Sequence, residues 1–322
     1  DFEQNPYWIQ NRIQSKDARI RLLLSLSANL KVTDWLTLQA RGNLDHSADK
    51  LRQKFYASTA TALCGMNGRY IEMDYQETQM YGDVMAMVKK QLNDFTLDVA
   101  IGGSINDRIT NSTRIDSKNA SLKYANVFNL ANIVMSSSAS IDQKIDAHYQ
   151  LQSVFATAQI GYKEGVFLDL TARNDWSSTL AYTKYEKKGF FYPSVGVSFL
   201  PDKWVKMPEW VSFSKLRGAY SIVGNGVPPF ITYPVSYVTA GGEILASDAA
   251  PFAEMKPEMT HSVELGMEWK FLQHRLGLNL TYYRTDTYEQ FFKLPALAGD
   301  KYAYRYVNAG DIQNQGWEIT LD

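Results

Sequence analysis

Cysteine is almost absent from this sequence: Cys64 is the only one in 322 residues, so no internal disulfide and no cysteine-based metal cluster can form. An excess of one charge is missing too. Lys and Arg number 33 against 34 Asp and Glu, a balance that argues against nucleic acid, which normally requires a basic face. No run of about eighteen apolar residues occurs, which excludes a helical membrane span. The histidines, His46, His148, His261 and His274, are scattered, and neither an HExxH nor a GxSxG spacing is present. Gly224, Asn225 and Gly226 lead into Pro228 and Pro229 rather than into a phosphate-binding helix start. No catalytic, cofactor or metal site is therefore expected. A charged-then-apolar leader is also missing at Asp1, and the chain stops at 317–321 in the middle of a strand-like run, so it is expected to be part of a longer protein.

What the sequence does hold is alternation. In the stretch 261–286 (HSVELGMEWKFLQHRLGLNLTYYRTD), Val263, Leu265, Met267, Trp269 and Phe271 fall on one face of an extended chain, and Glu264, Gly266, Glu268 and Lys270 on the other. Past a polar turn at Gln273, His274 and Arg275, Leu276, Leu278, Leu280 and Tyr282 oppose Gly277, Asn279, Thr281 and Tyr283. A period of two over this length predicts an antiparallel hairpin with one apolar face. Strands of soluble domains run about five or six residues, whereas a tilted strand crossing a bilayer needs roughly nine to eleven. These runs have the membrane length. Aromatic residues near their ends, and charges along the opposite face, favour a transmembrane barrel over a soluble sandwich.

The same unit recurs. A first hairpin is expected from Arg19, with Ile20, Leu22, Leu24, Leu26, Ala28 and Leu30 on one face, a turn at 32–34, and a return through Leu36, Leu38, Ala40 and Leu44. A second spans 80–89 and 95–104, a third 151–174, and a fourth 190–199 and 213–223; the stretch 261–286 is the fifth, and a single strand starts near Gln315. An irregular opening around Asn5, Pro6, Tyr7 and Trp8 precedes them, and a short helix is expected near 126–132. Links inside hairpins are short, and those between them (45–79, 105–149, 175–189, 224–260 and 287–314) are long. This alternation puts every long loop at one end, the extracellular end in outer-membrane barrels. About eleven strands result, and bacterial single-chain barrels carry an even number. The expected fold class is all-β, an incomplete transmembrane antiparallel β-barrel.

Several segments resemble one family. LDLTARNDWSSTL at 168–180 resembles the RNDWSS strand end of SusC/RagA-type TonB-dependent outer-membrane transporters of Bacteroidetes. So do NPYW (5–8), DWLTL (34–38), FYPSVGVSF (191–199), KLRGAYSIVGN (215–225), PEMTHSVELGMEW (257–269) and VNAGDIQNQGWEIT (307–320). No single motif is decisive, but their order and spacing cover nearly the whole chain. The resemblance implies a barrel of about 22 strands filled by a plug, energised through TonB, in the outer membrane of a Gram-negative cell. It also implies a SusD-like surface lipoprotein as lid and an oligosaccharide or oligopeptide as cargo. Neither a plug, a TonB box nor the remaining strands are found here, so 1–322 is expected to be one partial barrel domain. A passive porin or structural barrel is the alternative, with a barrel enzyme behind it.

Two sets of residues are candidates for contact. Arg41, Asp98, Asp169, Arg173, Lys215, Arg217, Glu264 and Glu268 fall opposite the apolar face and are expected to line the lumen. A hydrated wall that pairs with a plug explains them better than a substrate path, since a wide lumen must be polar anyway. Trp269, Phe271, Tyr162, Phe191 and Tyr282, near run ends, are expected at the membrane interfaces. The aromatics Tyr182, Tyr185, Phe230, Tyr233, Tyr237, Tyr302 and Tyr304 lie beyond the expected bilayer, where rings stack on sugars, pack on peptides or a lid, or pack within their own loops. The loops 227–257 and 298–306 are the expected contact segments for lid or cargo.

Overall fold

The computed structural model describes residues 4–118, 122–135, 140–228, 231–239 and 242–322, with Ser140 and Tyr237 described by backbone alone. A helix, α1 (Pro6–Arg12), occupies the opening expected to be irregular. Asn5 caps it by accepting from the Tyr7 N–H at 2.9 Å, and Pro6 brings a preset φ to its first turn. Strands β1 (Ile13–Lys31), β2 (Leu36–Phe55), β3 (Arg69–Leu92), β4 (Phe95–Asp116), β5 (Ser140–Tyr162), β6 (Val166–Ser177), β7 (Phe190–Phe199) and β8 (Val211–Asn225) follow. A small hairpin of β9 (Tyr237–Val238) and β10 (Ile244–Leu245) sits in the next loop. After it come β11 (Glu258–Phe271), β12 (Leu276–Tyr288), a second small hairpin of β13 (Phe291–Pro295) and β14 (Tyr304–Asn308), and β15 (Ile312–Leu321). Apart from the two small hairpins, these strands form one 11-stranded antiparallel sheet in chain order, open at its edges β1 and β15.

Register fixes the faces. Leu38, Ala86, Ile101, Ala156, Ala172 and Pro193 follow one another from β2 to β7 on one side, and Arg41, Asp83, Ser104, Ser153 and Asp175 from β2 to β6 on the other. The first side is apolar yet open: Ile20 is 74% exposed and Leu26 80%. An apolar sheet face of this extent meets hydrocarbon rather than water. Aromatic rings bound it. At the short-turn end Phe95, Tyr162 and Trp204 succeed one another at 4.7 and 5.5 Å, and Trp210, Phe271 and Trp269 at 5.6 and 5.8 Å. At the other end stand Trp176, Phe191 and the pair Tyr282 and Trp317, 4.9 Å apart. Tyr162 and Gln152, the register partner of Trp176, are separated by about 33 Å of strand, or about 25 Å of height at a tilt of about 40°. That is the height of an outer-membrane apolar band.

Three of the five links at the Tyr162 end turn on left-handed residues, whereas the β7–β8 connection, 200–210, is longer. Asn93 (φ 51°) joins β3 to β4, Lys163 and Glu164 (48° and 53°) join β5 to β6, and Leu272, Gln273 and His274 (52°, 60° and 65°) join β11 to β12. At the opposite end the strands outrun the bilayer. β1 to β5 hold 19, 20, 24, 22 and 23 residues, so the loops expected over 45–79 and 105–149 shrink to 56–68 and 117–139. Beyond the aromatic rings both faces are wet, so the apolar period ends while the backbone ladder and cross-strand pairs continue. Arg21 donates to Asp45 at 2.9 and 2.5 Å, and Arg52 to Glu72 at 3.3 and 3.0 Å. The helix expected near 126–132 is a single 3-10 turn, Leu130–Asn132, capped by Asn129.

The buried core of the chain lies in the long loops. One cluster joins Tyr70, Leu122 and Ile133, with Ile115 and Phe128 against them. A second joins Leu180, Val227 and Met255, packed by Tyr185, Phe190, Ile231, Phe252, Phe291 and Tyr306. The connections after β6, β8 and β12 thus share one core above the sheet.

Candidate functional site

The eight charged residues expected to line a lumen all fall on the polar side of the sheet, and most are paired there. Arg41 Nε donates to both oxygens of Asp83, at 3.1 and 3.0 Å, and the Asp83 side chain is fully buried. Asp98 is bridged to Lys89 at 2.9 Å, and Asp169 accepts from Gln159 at 2.7 Å. Arg173 donates to Asp175 at 2.7 Å and to Ser153 Oγ at 2.6 Å. Arg217 crosses Gly266, where a Cβ would collide with it, to reach Glu264 at 3.3 Å and Thr281 Oγ1 at 2.7 Å. Glu268 pairs with Lys270 at 3.4 Å, and Lys215 stands opposite it in register. Charges that satisfy one another in this way make a hydrated wall and contribute little net energy each.

A tighter knot holds the tip of β3 and β4. Asp116, 1% exposed, accepts from Arg69 at 2.8 and 2.7 Å, from Arg114 at 2.9 Å and from the Lys118 N–H at 2.9 Å. Burial pushes its carboxyl up, but the hydrogen bonds from Arg69 and Lys118 and the charges of Arg69 and Arg114 outweigh burial and hold it below the usual carboxylate range. Nearby Tyr70 donates to Glu72 at 2.8 Å, and burial followed by that bond pushes its phenol up to about 12.

The loop aromatics divide. Tyr182 and Tyr233, 71% and 54% exposed, stand 5.1 Å apart and present free ring faces. Tyr185 packs in the second cluster beneath Lys184 and Lys188, and Tyr304 lies edge-on to Tyr306 with Lys293 3.5 Å over its ring. Tyr302 is half-buried beneath Lys301 at 5.3 Å. Tyr237 pairs with Leu245 through the backbone of β9 and β10, and Phe230 lies outside the described residues. The loop bearing Tyr182 is tied to the one bearing Tyr233 by Thr232 Oγ1 donating to Ala181 O at 2.9 Å and by Lys184 with Glu254 at 2.5 Å.

A recess of about 360 Å³ opens on the polar side between β3, β4 and β5, lined by Tyr75, Glu77, Arg108, Lys144 and Tyr149, with Pro228 also on its wall. These residues fall in stretches whose alternation carries no apolar face, so no side could be assigned to them from sequence. The register supplies it, since Gln79, Arg108 and Tyr149 are neighbours in one row.

An antiparallel sheet with an apolar belt, aromatic rims, tight turns at one end and structured loops at the other defines a transmembrane β-barrel protein. Residues 1–322 match the family model described as TonB dependent receptor-like, beta-barrel, and the chain belongs to that family. TonB-dependent receptor P3 of Formosa agariphila is 25% identical over 183 residues, which are 54% of this chain and 18% of that protein. The solved RagAB peptide transporter matches 98% of this chain and 35% of its own at a TM-score of 0.81 and 18% identity. Fiu, the ferric-catecholate import receptor of E. coli, matches 97% of this chain and 45% of its own at 0.56 and 11% identity. The chain therefore spans under a fifth of the P3 receptor and about a third of the RagAB chain. At these identities the solved structures show a common fold.

Proposed function

We propose that this chain forms wall and outer vestibule of a TonB-dependent importer in a Gram-negative outer membrane. Its polar face lines the lumen, its cargo is an oligopeptide or oligosaccharide, and a SusD-like lipoprotein closes it from outside. The observation that carries this reading is the likeness to the RagAB peptide transporter, at a TM-score of 0.81 over 98% of the chain, against 0.56 for the receptor Fiu. The tall polar strands and the loop core above the belt support it, because they build a rigid rim on which a lid can seat. Tyr182 and Tyr233, exposed and adjacent on that rim, are the side chains assigned to lid or cargo. Energy coupling through TonB separates this function from a passive porin. Uptake of the cognate nutrient should stop when TonB is deleted; uptake at the parental rate in that strain would return the chain to the porin reading.

A further inference from the structure

Every other arginine of the 11-stranded sheet is ion-paired, from Arg19 with Asp49 to Arg284 with Asp286, but Arg108 has no carboxylate partner among the described residues. Its guanidinium carbon sits 5.2 Å from the centroid of the Tyr149 ring. At that distance the ring makes a cation–π contact, and the guanidinium N–H groups make no hydrogen bond among the described residues. Arg108 is half-buried in the recess of about 360 Å³ described above, on the polar side. It lies about 10 Å of strand beyond Ile105, the residue level with Trp176 of the outer aromatic rim. Lys144 brings a second cation to the recess from β5. One carboxylate, Glu77, lies inside it and accepts the Tyr75 hydroxyl at 2.6 Å, so the two cations exceed the acid by one charge.

Two cations on the wall of this recess, one of them without a carboxylate partner, outnumber its single acid, Glu77, and the excess positive charge matches one chemistry. A carboxylate accepts two parallel N–H bonds from an arginine fork, and the ammonium takes a remaining lone pair. The Tyr75 ring, also in the lining, adds apolar surface for whatever carries that group. A recess of this size holds one unit of an oligomer rather than a chain. Resting on the reading of the polar face as lumenal, we propose that this recess is a capture site for acidic cargo, seating one carboxylate-bearing unit on Arg108 and Lys144 as the oligomer enters. A uronate sugar and an acidic peptide residue present the same group.

The test is calorimetric titration of the full gene product in detergent. Two acidic probes, trigalacturonate and a pentapeptide with a central Glu, are compared with trigalactose and the same peptide carrying Gln. At least one acidic probe should bind about tenfold or more tightly than its neutral counterpart, and the one that does identifies the source. Arg108→Gln should abolish the preference, Arg108→Lys should keep part of it, and Lys144→Gln should reduce it. Equal affinity for acidic and neutral probes, no binding of either acidic probe, or a preference unchanged in Arg108→Gln would overturn the proposal. Heat-modifiable migration reports whether each variant folds. Should Arg108→Gln not fold, the exposed Lys144→Gln decides, an unchanged preference counting against the site. TonB-dependent uptake without acid preference sinks the capture site and leaves import standing; Arg108-dependent binding without TonB-dependent uptake does the reverse.

Discussion

Leu278 and Asn279 are adjacent in β12 and live in different media. Leu278 stands between Trp269 and Leu321 on the apolar side, and Asn279 between Glu268 and Thr320 on the polar one. Arginine on the lipid face costs about 2–4 kcal/mol at the midplane and less toward the interfaces. Leu278 is level with Trp269 of the inner aromatic rim, so Leu278→Arg is expected to cost about 1 kcal/mol in folding into bilayers and Asn279→Arg less; equal losses would contradict the assignment of the two faces. Asp116 makes the other residue-scale prediction. Its folded carboxyl is held below its unfolded value of about 3.9, so its contribution is complete above that pH and is lost as pH falls through the lower, folded value. Asp116→Asn removes charge-assisted hydrogen bonds worth about 1.5–3 kcal/mol, and amide exchange at the tip of β3 and β4 should quicken at pH 7. Wild-type exchange should approach that of the variant below about pH 4; no such convergence would show that Arg69 and Arg114 do not hold the tip through Asp116.

At the scale of elements, the belt was legible and the rim was not. Alternation of leucines with charges, as in β11 and β12, places strand and face together because lipid and water select opposite side chains. Past Leu44 the strands carry Asp45, Ser47 and Asp49 on one side and His46, Ala48 and Lys50 on the other, and water makes no such selection. The recess around Arg108 was hidden for the same reason. Of the loop aromatics, sequence could collect the residues but not sort them: the fold packs Tyr185 and Tyr304 and leaves Tyr182 beside Tyr233. The sorting depends on a core shared by three loops distant in sequence. Shortening 227–257 or 298–306 is expected to reduce copurification of the proposed lipoprotein lid and growth on the nutrient it would import. If both versions insert and retain lid and growth at wild-type levels, contact lies elsewhere.

At the scale of the molecule, the sheet ends in two unpaired edges, β1 and β15. Unpaired backbone groups cost several kcal/mol each in hydrocarbon. These 322 residues expressed alone are expected to aggregate, and a monomeric, conducting pore made of them would contradict the open sheet. The height of β2 and β3 matters in another way. Their tips reach about 40 Å of strand past the outer aromatic rim, carrying Arg52 and Lys54 on one and Arg69 and Glu72 on the other. A barrel that inserts from the side of its tight turns must drag these tips through the hydrocarbon before they reach water. Adjacent strands pair through contacts local in sequence, so such a hairpin can zip early and travel with Arg52 already on Glu72. Ion pairs that add little to the finished wall would then act on the speed of its assembly, by lowering the charge the bilayer meets while the hairpin is in transit.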